Sequence, residues 1–186
     1  MDEGVEQARL ALAHDPLSSY TQAIHGMTCA LAGRHADGIQ SARRGVELDA
    51  DSYLARFILQ FVLHVGGEFA EAVTAGESAL AMSGRHSWSM ATLATTLAEL
   101  GRRNEAEAVY AEMHARARRQ YVPPGLLALA AAAAEREDAA LGHAHEAYRI
   151  RDPHCEFFLS PYIRFGHRLY AYPAFRELSG QAAGPP

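Results

Sequence analysis

Histidine and acidic side chains are the residues of this sequence that could support chemistry. The chain has ten histidines, but His143 and His145 are two residues apart and so point to different sides of a helix. The sequence contains neither an HExxH motif nor a paired-cysteine motif, the patterns that typically hold zinc. We therefore expect no metal site and no cofactor.

Acid–base catalysis has equally little support. Glu135, Glu137 and Asp138 lie close together at a predicted helix turn, a position more typical of solvated surface charge than of catalysis. The glycine patterns that bind nucleotides and the Gly-x-Ser-x-Gly nucleophile elbow are missing from the sequence. We expect that the chain is not an enzyme and has no catalytic residues.

The composition limits the kinds of partner that the chain can bind. All 17 basic residues are Arg, against 22 acidic residues, and the net charge of -5 argues against binding to nucleic acid or to an anionic membrane surface. Cys29 and Cys155 form no disulfide framework, which favours a reducing compartment. No apolar run reaches the roughly 18 to 20 residues of a membrane span, and the acidic N-terminus is unlike a signal peptide. We expect a cytoplasmic location.

A period of 34 residues organises the chain. Gly33, Gly67 and Gly101 follow one another at this interval, each after an apolar helical run and before a second amphipathic segment. Glycine tolerates the positive φ of a sharp helix end. Small residues also recur in phase, which allows close approach of neighbouring helices; they are Gly4, Gly38, Ala72, Ala106 and Ala140. The period predicts stacked helix pairs.

The pattern resembles the tetratricopeptide repeat (TPR) family. The residues that fit its signature are Pro16, Gly26, Gly33, Leu59, Ala72, Ala79, Ala106 and Tyr110. The signature tryptophan position departs from the family, since it holds Gln22, Arg56, Met90 and Pro124, as in divergent repeats. The resemblance implies an all-α, right-handed superhelical solenoid of antiparallel helix pairs, with about four repeats, a half repeat and a C-terminal helical cap.

The phase gives the expected boundaries. The TPR-like array covers residues 1–150, with a half repeat at 1–16 and repeats near 19–50, 53–84, 87–119 and 121–150. A capping segment follows at 151–179, where short helices place Phe157, Phe158, Phe165, Leu169, Phe175 and Leu178 over the last repeat, and 180–186 is expected to be a disordered tail. The initial half repeat predicts that the chain is the C-terminal part of a larger protein.

One helix start has a capping signal, since Asn104 and Glu107 have the spacing of an N-cap residue and its reciprocal partner.

Residues 120–180 resemble, more specifically, the C-terminal TPR region of bacterial multidomain regulators. The shared features are a Tyr121-Val122-Pro123-Pro124 helix start, an Arg151-Asp152-Pro153 step and a Pro173-x-Phe175-x-x-Leu178 end. The resemblance implies the regulatory part of a bacterial signalling or transcriptional regulator. A winged-helix, nucleotidyl cyclase or Ser/Thr kinase domain would then lie upstream.

The first helix of each TPR pair lines a concave groove, and the phase identifies the side chains that face it. The predicted partner-binding residues are Tyr20, Met27, Leu54, Phe57, Phe61, His64, Trp88, Thr95, Glu99 and Leu129. This groove is apolar and lacks the lysine and asparagine ladder of carboxylate-binding TPR domains. It predicts a scaffold for an apolar or amphipathic protein segment.

Three alternatives stay open. The same positions could be core, or covered by other parts of the protein; the groove could mediate self-association into a homo-oligomer; or the repeats could bind RNA. The apolar side chains of Leu54, Phe57 and Phe61 argue against RNA binding, because RNA-binding repeats need polar and basic side chains on this face.

Overall fold

The computed structural model describes residues 2–155 and 163–180, and every regular element within them is helical. The predicted tail and the cap residues Phe157 and Phe158 lie outside this part, apart from Gly180. The α-helices are α1 Asp2–His14, α2 Ser19–Leu31, α3 His35–Leu48, α4 Tyr53–Gly66, α5 Phe69–Ser83, α6 Ser87–Glu99, α7 Arg103–Ala117, α8 Pro124–Ala133, α9 Glu137–Arg149, α10 His167–Tyr170 and α11 Pro173–Leu178, with a 3-10 turn at Arg164–Gly166.

The chain divides into two compact units, unit 1 at Met1–Ser89 and unit 2 at Met90–Pro186. In unit 1, α2 pairs with α3 and α4 with α5, while α4 also packs against α2 and α3. Glycines allow the close approach of α2 and α3, since a Cβ added to Gly26 would lie 2.8 Å from the carbonyl oxygen of Gly38. The repeating small residues therefore allow two helix backbones to touch.

In unit 2, α8 packs between α7 and α9. Every residue of α8 is buried, which suits its alanine-rich, uniformly apolar sequence. The C-terminal segment, residues 163–180, places α10 against α8 and α11 against α9. Phe165, Leu169 and Phe175 are at most 1% exposed, so these predicted cap residues form part of the core.

The turns inside the pairs share one geometry, as the period predicted. Gly33, Gly67 and Gly101 have φ of 80°, 86° and 71°, and Glu135, at the fourth equivalent position, has φ of 56°. In each turn the following N–H donates to a carbonyl five residues back, as from Arg34 to Cys29 at 2.8 Å. This is the Schellman arrangement, which satisfies the free carbonyls of a helix end.

The capping prediction at Asn104 is wrong. Helix α7 begins at Arg103, and its N-cap residue is Arg102, whose side chain makes no capping hydrogen bond. The glycine turn fixes this start, because the N–H of Arg102 donates to the carbonyl of Leu97 at 2.9 Å and the helix follows directly. Glu107 instead accepts two hydrogen bonds from Arg136, each at 2.9 Å.

The protein therefore has an all-α fold of the helical solenoid type, in which antiparallel helix pairs pack together within each unit. Within residues 2–155 and 163–180, no helix combines the length and the apolarity that crossing a membrane requires.

Candidate partner-binding surface

An aromatic cluster lies at the start of α4 in unit 1. Tyr53 stacks on Phe57 with ring centroids 6.1 Å apart, and Phe57 lies 5.5 Å from Trp88. His86 lies 5.4 Å from Tyr53 and 5.8 Å from Trp88. Burial raises the pKa of Tyr53, whose hydroxyl lies 3.3 Å from that of Ser89. Each ring of the cluster is thus held by its neighbours.

Three accessible apolar side chains of unit 1 occupy the same repeat position. Tyr20 is 62% exposed, Trp88 is 37% exposed, and Leu54 is half-buried. Each is the second residue of the first helix of a repeat, and successive members are 34 residues apart. We call these three residues the apolar stripe. It is the accessible part of the groove that the sequence predicted in this unit, together with the half-buried Met27.

Other predicted groove residues are core. Phe57, Phe61, His64, Thr95 and Leu129 are between 0% and 4% exposed. His64 lies 5.4 Å from Phe69 at the start of α5, so it packs toward the second helix of its pair. The Thr95 hydroxyl donates to the carbonyl of Ala91 at 2.8 Å, within its own helix. The helical phase gives a direction for each side chain, but neighbouring helices cover much of that face.

In unit 2, Glu99 is also buried to a large extent, with a side chain 14% exposed. It accepts a hydrogen bond from Arg168 of the C-terminal segment, at 3.0 Å, and lies 3.3 Å from the ring of His167. Arg168 also donates to the carbonyl of Ala98, at 2.9 Å. The C-terminal segment is therefore fixed to the end of α6 as well as to α8.

Asp152 has a structural function that the sequence did not indicate. The residue is 3% exposed, and its carboxylate accepts hydrogen bonds from the N–H of Gly125 at 2.8 Å and of His154 at 3.0 Å. Burial by itself would raise the pKa of Asp152, but these hydrogen bonds and the His154 ring outweigh burial. The pKa therefore lies below its ordinary value. Asp152 thus caps the first turn of α8.

A cysteine and a histidine lie together in unit 1. The Cys29 sulfur is 3.6 Å from His25 Nε2, and His25 Nδ1 is 2.8 Å from the Ser41 hydroxyl. Burial raises the pKa of Cys29 and lowers that of His25, so the pair is neutral at neutral pH. Cys29 is also fully buried. The arrangement does not favour a nucleophilic thiolate.

Two histidines approach each other in unit 2, where the ring centroids of His114 and His143 are 5.9 Å apart. Burial, and secondly the charge of His114, lowers the pKa of His143. Across residues 2–155 and 163–180 there is no group of three or more His, Cys, Asp or Glu side chains placed to hold a metal ion.

No protein-family model matches the chain, and the comparison with curated proteins finds no match. Among solved structures, a chain of Naa15/Naa10 bound to HypK-THB is similar, with a TM-score of 0.40 and 15% sequence identity over 96% of this chain. The match spans 32% of that chain. At this level of similarity, the fold assignment rests on the helix pairs and turns themselves.

Proposed function

We propose that this protein is a non-enzymatic interaction scaffold that binds an apolar or amphipathic segment of a partner protein. The apolar stripe is the observation that carries the proposal. Tyr20 and Trp88 are large, rigid and accessible, and the ring contacts with Phe57 and His86 hold Trp88 in place. Aromatic anchors of this kind supply most of the energy of many interfaces, because little side-chain freedom is lost on binding.

We also propose that the chain is the C-terminal regulatory part of a larger bacterial signalling or transcriptional regulator, acting in the cytoplasm. The sequence features behind this proposal have a joint structural function in unit 2. The Tyr121-Val122-Pro123-Pro124 start leads into α8, and Asp152 of the Arg-Asp-Pro step caps that helix through Gly125. The two motifs therefore act together, which supports treating them as one signature.

Peptide selection tests the scaffold proposal, with Trp88 as a built-in reporter because it is the single tryptophan of the chain. Peptides are selected from a random library on the whole protein and titrated while Trp88 emission is followed. We expect the selected peptides to be rich in aromatic and aliphatic residues and to shift the emission to shorter wavelength. A Tyr20→Ala, Leu54→Ala double variant should bind them at least tenfold more weakly.

The matched control is a Leu10→Ala, Met82→Ala double variant, because these residues are 39% and 38% exposed but lie on α1 and α5 outside the stripe. It should bind the peptides as the unaltered protein does. Equal losses in both double variants, or selected peptides that leave the Trp88 emission unchanged, would contradict the proposal. Light scattering across protein concentrations identifies self-association as the alternative source of an emission change.

A further inference from the structure

Three arginines at one edge of unit 2 have no partner within the described chain. Arg118 and Arg119 follow α7, Arg151 follows α9, and all three are exposed. Each other arginine whose side chain the structure describes takes part in an ion pair, a hydrogen bond or another interaction with the chain, as Arg103 does with Glu135. We call Arg118, Arg119 and Arg151 the arginine edge.

The packing of α7 against α9 brings these arginines to one end of unit 2. An ion pair joins the two helices near their starts, and the Tyr110 hydroxyl lies 3.4 Å from His143 Nε2 further along, so the helices run side by side in the same direction. Arg119 and Arg151 both come one residue after the C-cap of their helix. Packed helices are about 8 to 10 Å apart, a distance that about three extended residues span.

Tyr121 adds an exposed ring to this edge. It lies two residues after Arg119 and is 72% exposed. Burial, and secondly the charge of Asp152, raises the pKa of Tyr121, so the ring lies near the carboxylate that follows Arg151. Asp152 itself is buried and is occupied by the hydrogen bonds of the α8 cap. The ring therefore belongs to the same edge as the arginines of both helix ends.

The other acidic side chains at the ends of α7 and α9 are already paired. Glu112 accepts from Arg116 at 3.1 Å, and Glu146 accepts from Arg149 at 2.6 Å. The arginine edge therefore keeps three positive charges that no described carboxylate compensates with an ion pair.

The backbone at Arg151 is a second, independent sign of function. Its φ of 55° is in the left-handed region, which costs free energy for a residue with a Cβ. The other described residues of this kind, Arg85 and Glu135, both interact with the chain through polar or ring contacts. The Arg151 side chain makes no such contact that could offset the strain, which favours a contact outside the chain.

We propose that the arginine edge binds an acidic segment of a partner protein, with carboxylates on the arginines and an apolar side chain on the Tyr121 ring. Guanidinium groups bind carboxylates through two parallel hydrogen bonds, and an exposed tyrosine ring supplies rigid contact area. Nucleic acid fits less well, because three arginines on a chain of net charge -5 give a long polyanion little electrostatic gain. This surface adds a second class of partner to the proposed scaffold.

Fluorescence anisotropy of a labelled peptide on the whole chain tests the proposal. The probe alternates aspartate and glutamate around one central phenylalanine, and the titration is done at low ionic strength because salt screens exposed charges. An Arg118→Gln, Arg119→Gln, Arg151→Gln variant should bind the probe at least tenfold more weakly than the unaltered protein. The three side chains are exposed, so its circular dichroism spectrum should not change.

The matched control is an Arg9→Gln, Arg34→Gln, Arg44→Gln variant, which loses the same charge from exposed arginines of unit 1. It should bind the probe within twofold of the unaltered protein. Tyr121→Ala should weaken the probe about threefold and leave a probe without phenylalanine unaffected.

Four results would overturn the proposal. They are equal losses in the two triple variants, no saturable binding of the probe, tighter binding of a single-stranded oligonucleotide of the same charge through the arginine edge, and self-association that the arginine-edge variant abolishes. The last result, measured by light scattering, would identify a second copy as the partner, because Asp49 and Asp51 make the equivalent edge after α3 acidic.

Discussion

The same repeat position is accessible in unit 1 and covered in unit 2. Tyr20, at the start of α2, is 62% exposed, whereas Val122, at the equivalent position before α8, is 5% exposed. The start of α8 is covered by the Asp152-Pro153-His154 stretch, and its later part by α10. The repeat thus sets the direction of each side chain, while segments outside the repeat decide whether a partner can reach it.

Replacing a buried aromatic residue of the C-terminal segment by alanine should give the largest difference in stability loss between the two units. Phe165→Ala removes a fully buried ring from unit 2 and should lower the free energy of unfolding by about 3 to 5 kcal/mol. Tyr20→Ala, on the open face of unit 1, should change it by less than about 0.5 kcal/mol. Urea unfolding followed by circular dichroism measures both values. Similar small losses would show that the segment is not part of the core.

The caps of the first helices should give an intermediate contrast. Asp152→Ala leaves the buried N–H of Gly125 without an acceptor and should cost about 2 to 3 kcal/mol. The Ser52 hydroxyl caps α4 by accepting a hydrogen bond from the N–H of Ala55 at 3.3 Å. Ser52→Ala removes this cap and should cost about 1 kcal/mol of stability. Chemical unfolding of the two variants under one condition makes the comparison. An equal cost would mean that the buried Asp152 cap is no stronger than the partly buried Ser52 cap.

The Asp152 contribution should also depend on pH. Its pKa in the folded chain is below the ordinary value of 3.8, so the stabilisation is fully present above 3.8 and is lost as the pH falls through the folded pKa. Asp152→Asn has no such titration. The stability difference between the natural protein and Asp152→Asn should therefore shrink between pH 7 and acidic pH, and a constant difference would contradict the hydrogen-bond assignment.

Substitutions in the turns between paired helices should give the smallest differences in stability. Glu135 adopts the left-handed conformation that glycine takes at the equivalent Gly67 in unit 1. A non-glycine residue there costs about 1 kcal/mol, so Glu135→Gly should be more stable than Glu135→Ala by about that amount. Comparing glycine with alanine cancels the loss of the exposed ion pair with Arg103, which is 2.6 Å long. Thermal unfolding tests this ranking, and Gly67→Ala should lose a similar amount.

Much of the fold could be predicted from the sequence because the 34-residue period is carried by residues within each helix and turn. Gly33, Gly67 and Gly101 identified the turns, and the apolar runs between them identified the helices. The helix start at Asn104 was mispredicted, since the preceding turn, and not the best capping side chain, determines where α7 begins.

The accessible surface could be predicted only in part. Tyr20, Leu54 and Trp88 follow from the phase, but the burial of Phe61, for example, depends on how closely neighbouring helices pack. Helix α8, which carries the buried Leu129, packs against a segment far along the chain, α10. The capping of α8 by Asp152 likewise joins residues 27 positions apart, outside the 34-residue period. A periodic pattern carries no information about such contacts.

The contact between Gly26 and Gly38 restricts how unit 1 can evolve. A Cβ at either glycine would lie 2.8 Å from the carbonyl oxygen of the other, so each position is blocked by backbone and not by a side chain. A larger residue at one position cannot be offset by a smaller one at its partner, because both already have the smallest side chain. Sequence change at this crossing therefore requires the two helices to separate, and it cannot proceed by paired substitutions.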